Sequence, residues 1–295
     1  MNFILMVVDS LRVDHLSCYG YEGNSTPNID RVAYEGVLYK NAFSMGSYTS
    51  ASFPYILSDY LLLNLRKKGY VSILIHSNPN LRVNRLPIIE IDLVRSQRRN
   101  RFQLKRVSNL RRFLHFIRTG TNAPYMNAEM VNKVAIRLME ELRDPFFLCL
   151  WYMDVHMPYI PPSPRGLIES LSVLMLNKRH RKALASGDYT KISEKDLKEL
   201  IRLYDGEVSY MDECFGSFIK KIDVSNTCLI LTADHGEEFM DHGEFGHPNK
   251  DVQCLRHIPF IIRHPKMKFC VINKPFYFRY LDKLILELLS CDGKL

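Results

Sequence analysis

The 295-residue sequence contains no apolar run of about 18 residues, the length a membrane-crossing helix needs, so no transmembrane segment is predicted. It contains no Cys-x-x-Cys pair. Its seven cysteines (Cys18, Cys149, Cys214, Cys228, Cys254, Cys270 and Cys291) are an odd number. That excludes a fully paired disulfide scaffold and predicts reduced core thiols in a cytoplasmic protein. There is no internal repeat and no low-complexity tract. No basic leader precedes the apolar stretch Met1 to Val8, which runs straight into Asp9 and Ser10. It reads as a buried first strand and not as a signal peptide. Acids are missing from one window. Between Leu93 and Ala128 stand Arg95, Arg98, Arg99, Arg101, Lys105, Arg106, Arg111, Arg112 and Arg118, with no Asp or Glu. Outside that window 31 basic residues face 32 acidic ones, so the net charge of +8 belongs to one insert.

The rest is ordinary globular composition, 46% apolar and 24% charged, in a length that suits one large α/β domain or two small ones. Phe3 to Val8, Tyr70 to His76, Phe146 to Met153, Thr227 to Thr232 and Ile258 to Ile262 are short apolar runs that predict buried strands. Between them lie helical patterns. Thr26-Pro27 opens one, Thr49 to Leu57 forms a short one, and Asn127 to Leu142 is amphipathic. Ser193 and Asp196 form a capping box for a long helix toward Lys220, and Phe276 to Leu289 closes the chain as a helix. This alternation predicts an α/β fold with a mostly parallel central sheet and helices on both faces. Asp9, Asp154 and Asp234 end three of the strands, where such sheets place their ligands.

The densest chemistry follows the Thr227 strand. Asp234-His235-Gly236-Glu237-Glu238 and Asp241-His242-Gly243-Glu244-Phe245-Gly246-His247 put three histidines and five carboxylates within fourteen residues. Such a cluster is a divalent metal site or a solvated acidic loop. Asp9, also at a strand end, is placed to meet Asp234 at one sheet edge. In Tyr48-Thr49-Ser50-Ala51-Ser52, a hydroxyl begins a helix, where the dipole favours an alkoxide or a bound anion; plain capping gives the same pattern. His156, in Asp154-Val155-His156-Met157-Pro158-Tyr159, sits in a Pro-containing turn that equally suits a structural histidine.

These segments stand in a fixed order with Tyr19-Gly20-Tyr21, Thr26-Pro27-Asn28-Ile29-Asp30, His76-Ser77-Asn78-Pro79 and Tyr204-Asp205-Gly206-Glu207-Val208. With Val7-Val8-Asp9-Ser10-Leu11-Arg12 at their head, they resemble the sulfatase family of the alkaline phosphatase superfamily. The resemblance implies an alkaline phosphatase-like catalytic core over residues 1–265, interrupted by the basic insert at about 93–128. A short helical tail at 266–295 would stand in place of the usual C-terminal subdomain. It implies one divalent metal ion on Asp9, Thr49, Asp234 and His235, with Ca²⁺ or Mg²⁺ expected. Thr49 would attack sulfur or phosphorus and form a covalent ester that water hydrolyses. His156 would contact the transferred group or protonate the leaving oxygen, His247 is a second candidate for that acid, and Asn78 would bind substrate. Tyr204 to Val208 matches a family helix of structural role.

Three departures shape the expectation. Sulfatases carry an oxidisable Cys or Ser followed by Pro and then Ser-Arg, whereas this chain has Thr49-Ser50-Ala51-Ser52-Phe53. Threonine does not yield the aldehyde hydrate, so phosphodiesterase or phosphotransferase chemistry fits better. Ser10 replaces the second Asp of the usual pair, which admits Mn²⁺ or Zn²⁺ as readily as Ca²⁺ or Mg²⁺. The walls of the substrate pocket are short. The expected function is therefore a metal-dependent hydrolase of sulfate or phosphate esters, small or polymeric. The alternatives are a phosphotransferase using the same Thr49 adduct and a non-catalytic protein binding nucleic acid or an anionic surface through the insert. Aromatics suited to base stacking are sparse in the insert (Phe102, Phe113, Phe116), which argues against sequence-specific recognition.

Overall fold

The computed structural model describes residues 1–81, 83, 86–93, 125–143, 145–162 and 166–290. The basic stretch 94–124, and with it the predicted anion-binding face, lies outside the described residues, as does Cys291.

A nine-stranded sheet forms the centre. Its strands are β1 (Asn2–Val8), β2 (Val37–Phe43), β3 (Val71–His76), β4 (Ile89–Asp92), β5 (Phe146–Tyr152), β6 (Thr227–Ala233), β9 (His257–Arg263), β10 (Cys270–Ile272) and β11 (Phe276–Tyr277). They run in the order β10-β2-β9-β6-β1-β5-β3-β4, with β11 also on β2. All pairings are parallel except those of β9, which lies antiparallel to both β2 and β6. Every side chain from Phe3 to Val8 is fully buried, so β1 is covered on both faces, as its continuous apolar run requires.

Around the sheet, α1 (Pro27–Tyr34), α4 (Ala128–Glu141) and α5 (Leu167–Ser186) pack with the long α6 (Glu194–Ile219). The helices α2 (Thr49–Ile56) and α3 (Asp59–Lys67) pack with α8 (Leu281–Leu288). The predicted capping box holds: Ser193 Oγ accepts from Asp196 N, and the Asp196 carboxylate accepts from Ser193 N. A two-stranded hairpin, β7 (Glu238–Phe239) with β8 (Phe245–Gly246), follows β6, and one turn of helix, α7 (Gln253–Arg256), precedes β9.

Three elements depart from the sequence reading. β2 carries Lys40 and Asn41 mid-strand, which mask its apolar character; the Lys40 ammonium donates to Cys18 O. α5 buries Val173, Leu176, Asn177, His180 and Ala183, so two polar residues interrupt the stripe that would have revealed it. The tail is not purely helical. Phe276 pairs with Ala42 as β11 and stacks on Phe260 at 5.0 Å, and a 3-10 turn at Phe278–Tyr280 separates it from α8. Packing on the sheet edge overrides the helical period there. Among the described residues no helix is long and apolar enough to cross a membrane. None of the six described cysteines forms a disulfide, and four of them are buried.

Candidate active site

Register brings the acids together. Val8 lies opposite Tyr152 on one side and Ala233 on the other, so Asp9 and Asp234 leave the sheet at adjacent positions. Asp9 N still donates to Tyr152 O at 2.9 Å, which keeps the chain on the sheet for one more residue. Ser10 then turns at φ +62°, a conformation rarely adopted by a residue with a Cβ. The turn lets Ser10 N donate to Asp234 Oδ1 (3.3 Å) and Ser10 Oγ to Asp9 Oδ1 (3.2 Å). Ser10, in place of a second Asp, thus bridges the two carboxylates.

Asp9, Asp234 and His235 are fully buried, and one ligand atom from each lies within 4.8 Å of the others. His235 Nδ1 faces Gly236 O at 2.8 Å, so its proton sits there and Nε2 turns a lone pair inward. That nitrogen is 3.3 Å from Asp234 Oδ2 and 3.7 Å from Asp9 Oδ1. Thr49, the first residue of α2, brings Oγ1 to 3.3 Å from Asp9 Oδ2 and 3.4 Å from His235 Nε2. The turn before α2 needs Gly46, since a Cβ there would stand 2.6 Å from Ser52 N. The four residues expected from the sequence therefore meet at one point.

The electrostatics of this point call for a cation. Burial and the charge on Asp9 push the Asp234 carboxyl well above its ordinary range, and Asp234 Oδ2 is buried with no hydrogen-bond partner. Burial also raises Asp9, but His156, His235 and the Trp151 indole outweigh it and leave Asp9 below its ordinary value. Burial lowers His235 to about 4, which keeps Nε2 unprotonated. Two buried carboxylates whose charges oppose each other, an orphaned oxygen and an inward imidazole lone pair fit a divalent ion on Asp9, Asp234, His235 and Thr49.

A row of rings leads away from this centre. The His235 and His247 rings are 4.6 Å apart, His247 and His156 5.3 Å, and His156 and Tyr125 5.3 Å. The β7–β8 hairpin returns the chain so that His247 Nδ1 lies 3.5 Å from Glu237 Oε1. Burial opposes a charge on His247, but the pairing with Glu237, with Asp9 and Asp234 beyond, raises it to about 9. His156 Nδ1 faces Met157 O at 2.8 Å, which leaves its Nε2 as the working end.

Asn78 is buried, with Nδ2 2.7 Å from Asp9 Oδ2 and Oδ1 accepting from Asn80 N. Asp154, the third strand-end acid, stands apart from the cluster; both its oxygens accept from Ala128 N at the start of α4. Burial raises it to about 7. Sequence reasoning passed over Trp151 and the pairing role of Glu237. Trp151, the chain's single tryptophan, donates from Nε1 to Asp9 Oδ2 at 3.1 Å. Its signal was its place at the end of the strand beside β1.

Comparison with known proteins shows the family and the fold. The sulfatase family model matches residues 1–277. Escherichia coli YhbX, which carries a provisional transferase name, is 23% identical over 239 residues, covering 80% of this chain and 38% of that protein. Mus musculus iduronate 2-sulfatase is 24% identical over 319 residues, covering 85% and 57%. The chain thus spans less than two thirds of the length of either relative. The phosphonate monoester hydrolase of Agrobacterium radiobacter superposes with a TM-score of 0.72 at 17% identity, covering 98% of this chain and 73% of that one.

Proposed function

The chain belongs to the sulfatase family, and from that premise we propose that it cleaves sulfate or phosphate esters through a covalent intermediate on Thr49, with phosphoryl chemistry favoured. The placement of Thr49 Oγ1 against Asp9 Oδ2 and His235 Nε2 carries this reading. Threonine, unlike the family's usual Cys or Ser, must act as the alcohol it is.

Asp9, Asp234, His235 and Thr49 would hold the divalent ion that the family generally binds. Three oxygens and one imidazole nitrogen suit Mn²⁺ or Zn²⁺ as well as Ca²⁺ or Mg²⁺. Bound there, the ion supplies positive charge that favours the Thr49 alkoxide and neutralises the ester oxygens. The chain's own residues do the rest. Thr49 Oγ1 forms the new bond to phosphorus as the bond to the leaving oxygen breaks, and Asp9 Oδ2 stands where the hydroxyl proton departs. His247, held as a cation by Glu237, pairs with the anionic group and gives a proton to the leaving oxygen; His156 Nε2 is the second donor on the same side. Water then resolves the Thr49 ester. Asn78 and Trp151 hold Asp9 in orientation rather than touch substrate.

Metal-loaded protein is assayed on aryl phosphodiesters, aryl phosphonates and aryl sulfates. Thr49→Ala is expected to lower turnover on the order of 10³-fold or more with an unchanged circular dichroism spectrum. A phosphorylated Thr49 peptide in acid-quenched samples identifies the intermediate. An unchanged rate in that variant overturns the proposal. The transferase name of YhbX favours one second reading, in which an alcohol and not water resolves the Thr49 adduct. Added alcohols then appear as ester products.

A further inference from the structure

Beyond the centre at Asp9, the described residues hold two further groupings of metal-binding side chains: His76 with Glu90 and Asp92, and Glu238 with His242 and Cys254. Both ring nitrogens of His76 already meet oxygens, Asn78 O at 3.1 Å and Glu90 Oε1 at 3.0 Å, so that group is self-satisfied. The second group is not. Glu238 is fully buried. Its Oε1 accepts from His242 N at 2.7 Å, while Oε2 is buried with no partner. His242 Nδ1 faces Glu238 Oε1 at 3.5 Å and Cys254 Sγ at 3.6 Å.

Those spacings are informative. Tetrahedral bonds of about 2.3 Å to sulfur and about 2.0 Å to nitrogen and oxygen put ligand atoms about 3.3–3.6 Å apart. The two edges, 3.5 and 3.6 Å, fall on that range. The ligands come from separate elements, Glu238 on β7, His242 in the hairpin turn and Cys254 on α7. Gly236 lies against the backbone of Cys254, where a Cβ would collide with its carbonyl oxygen, so the two segments are built to touch. A cavity of about 320 Å³, lined by Arg12, Asp14, Asp241, His242 and Cys254 among others, opens beside the group and leaves room for a fourth ligand.

We propose that Glu238, His242 and Cys254 form a second divalent-metal site, of the zinc type, that clips the β7–β8 hairpin to α7. Thiolate, imidazole and carboxylate together suit zinc better than calcium or magnesium. On binding, the Cys254 Sγ–H bond breaks, its proton leaves to solvent, and the sulfur–metal bond takes its place. The carboxylate and the thiolate then balance the two positive charges. Burial, with Asp241 and Glu238 nearby, raises the Cys254 thiol to about 12 against the opposing charge of Arg12, so without a metal ion it is not a reactive thiolate. The site does not depend on the proposed chemistry of Thr49.

Cobalt separates this site from the first one, which contains no sulfur. Chelator-stripped full-length protein is titrated with Co²⁺ and the thiolate-to-cobalt charge-transfer band in the near ultraviolet is followed, with Zn²⁺ added afterwards as competitor. The expected result is a band that Zn²⁺ removes, that Cys254→Ser and His242→Ala each abolish, and that Asp234→Asn and Cys270→Ser leave in place. Bound zinc per chain should fall by one in Cys254→Ser. Absence of the band in the unaltered protein, or its survival in folded Cys254→Ser or His242→Ala, overturns the proposal. Esterase activity plays no part in the readout.

Discussion

Asn78 Nδ2 lies 2.7 Å from Asp9 Oδ2, the same oxygen that accepts from Trp151 Nε1 and Thr49 Oγ1. Three donors on one oxygen fix the rotation of the carboxylate and leave Oδ1 facing His235. Asn78 is therefore expected to act on metal affinity. Asn78→Ala should weaken divalent-ion binding about 10–100-fold, as loss of a partner behind a ligand does, while the protein stays folded. Titration calorimetry on metal-free protein measures it. A normal metal affinity with a raised KM would make Asn78 a substrate contact, the role that the family resemblance implied.

The Tyr204 hydroxyl donates to Ser10 O at 2.8 Å and accepts from Arg12 N at 2.8 Å. One side chain from α6 thus holds both backbone ends of the turn in which Ser10 adopts its positive φ. Tyr204→Phe leaves a buried carbonyl and a buried N–H without a partner, at a cost of about 2–3 kcal/mol. Denaturant unfolding should show that loss, with metal binding weakened as well because the turn relaxes. A stability loss with metal affinity untouched would limit Tyr204 to a packing role.

Much of this was legible because strand ends are local. Asp9 and Asp234 each follow a continuous apolar run, and parallel pairing on either side of β1 carries them to the same edge. Asp154 met the same rule and went elsewhere, because α4 starts within reach and its Ala128 amide takes the carboxylate. The motif Tyr204-Asp205-Gly206-Glu207 now has a physical account. Tyr204 holds the Ser10 turn, Asp205 pairs with His15 and Tyr21, and Gly206 faces Pro161, where a Cβ would stand 2.7 Å away. The partners of these residues lie far away in sequence, so spacing alone did not reveal them. The same holds for Cys254, which comes beside His242 only through the contact of Gly236 with α7. Helix α5 escaped because Asn177 and His180 occupy its buried face. Asn177 faces inward to bond the backbone of Tyr159, a tertiary demand with no trace in helical periodicity.

Asp234 predicts opposite effects with and without metal. In the metal-free protein burial and the charge on Asp9 push its carboxyl well above the ordinary range, which favours its neutral form. Asp234→Asn resembles that neutral form and should leave metal-free stability unchanged or slightly higher. With a divalent ion at about 100 times its dissociation constant, the unaltered protein should gain about 2.7 kcal/mol, and Asp234→Asn should lose most of that gain. Thermal melts with a chelator and with metal measure both halves. A variant that is equally destabilised in the two conditions would mean that Asp234 is structural.

His180 gives the molecule an acid sensitivity separate from the metal centre. It is 1% exposed, both ring nitrogens lack hydrogen-bond partners, and it packs edge-on against Phe245 at 4.9 Å and beside Tyr159. Burial lowers it to about 4, from an ordinary value of 6.5, and outweighs the opposing charge of Glu237. The unfolded chain therefore binds the proton first as pH falls. The neutral, buried ring favours the folded state fully above about pH 6.5, and that advantage is lost as pH falls toward 4. Between about pH 7 and about pH 5 the loss is about 2 kcal/mol. His180→Phe keeps the ring contacts and removes the titration, so its unfolding free energy should change less over that interval, by about the same amount. If the pH dependence of His180→Phe matches that of the unaltered protein, His180 is not the group that senses acid, and His235, which burial also lowers to about 4, is the next residue to test.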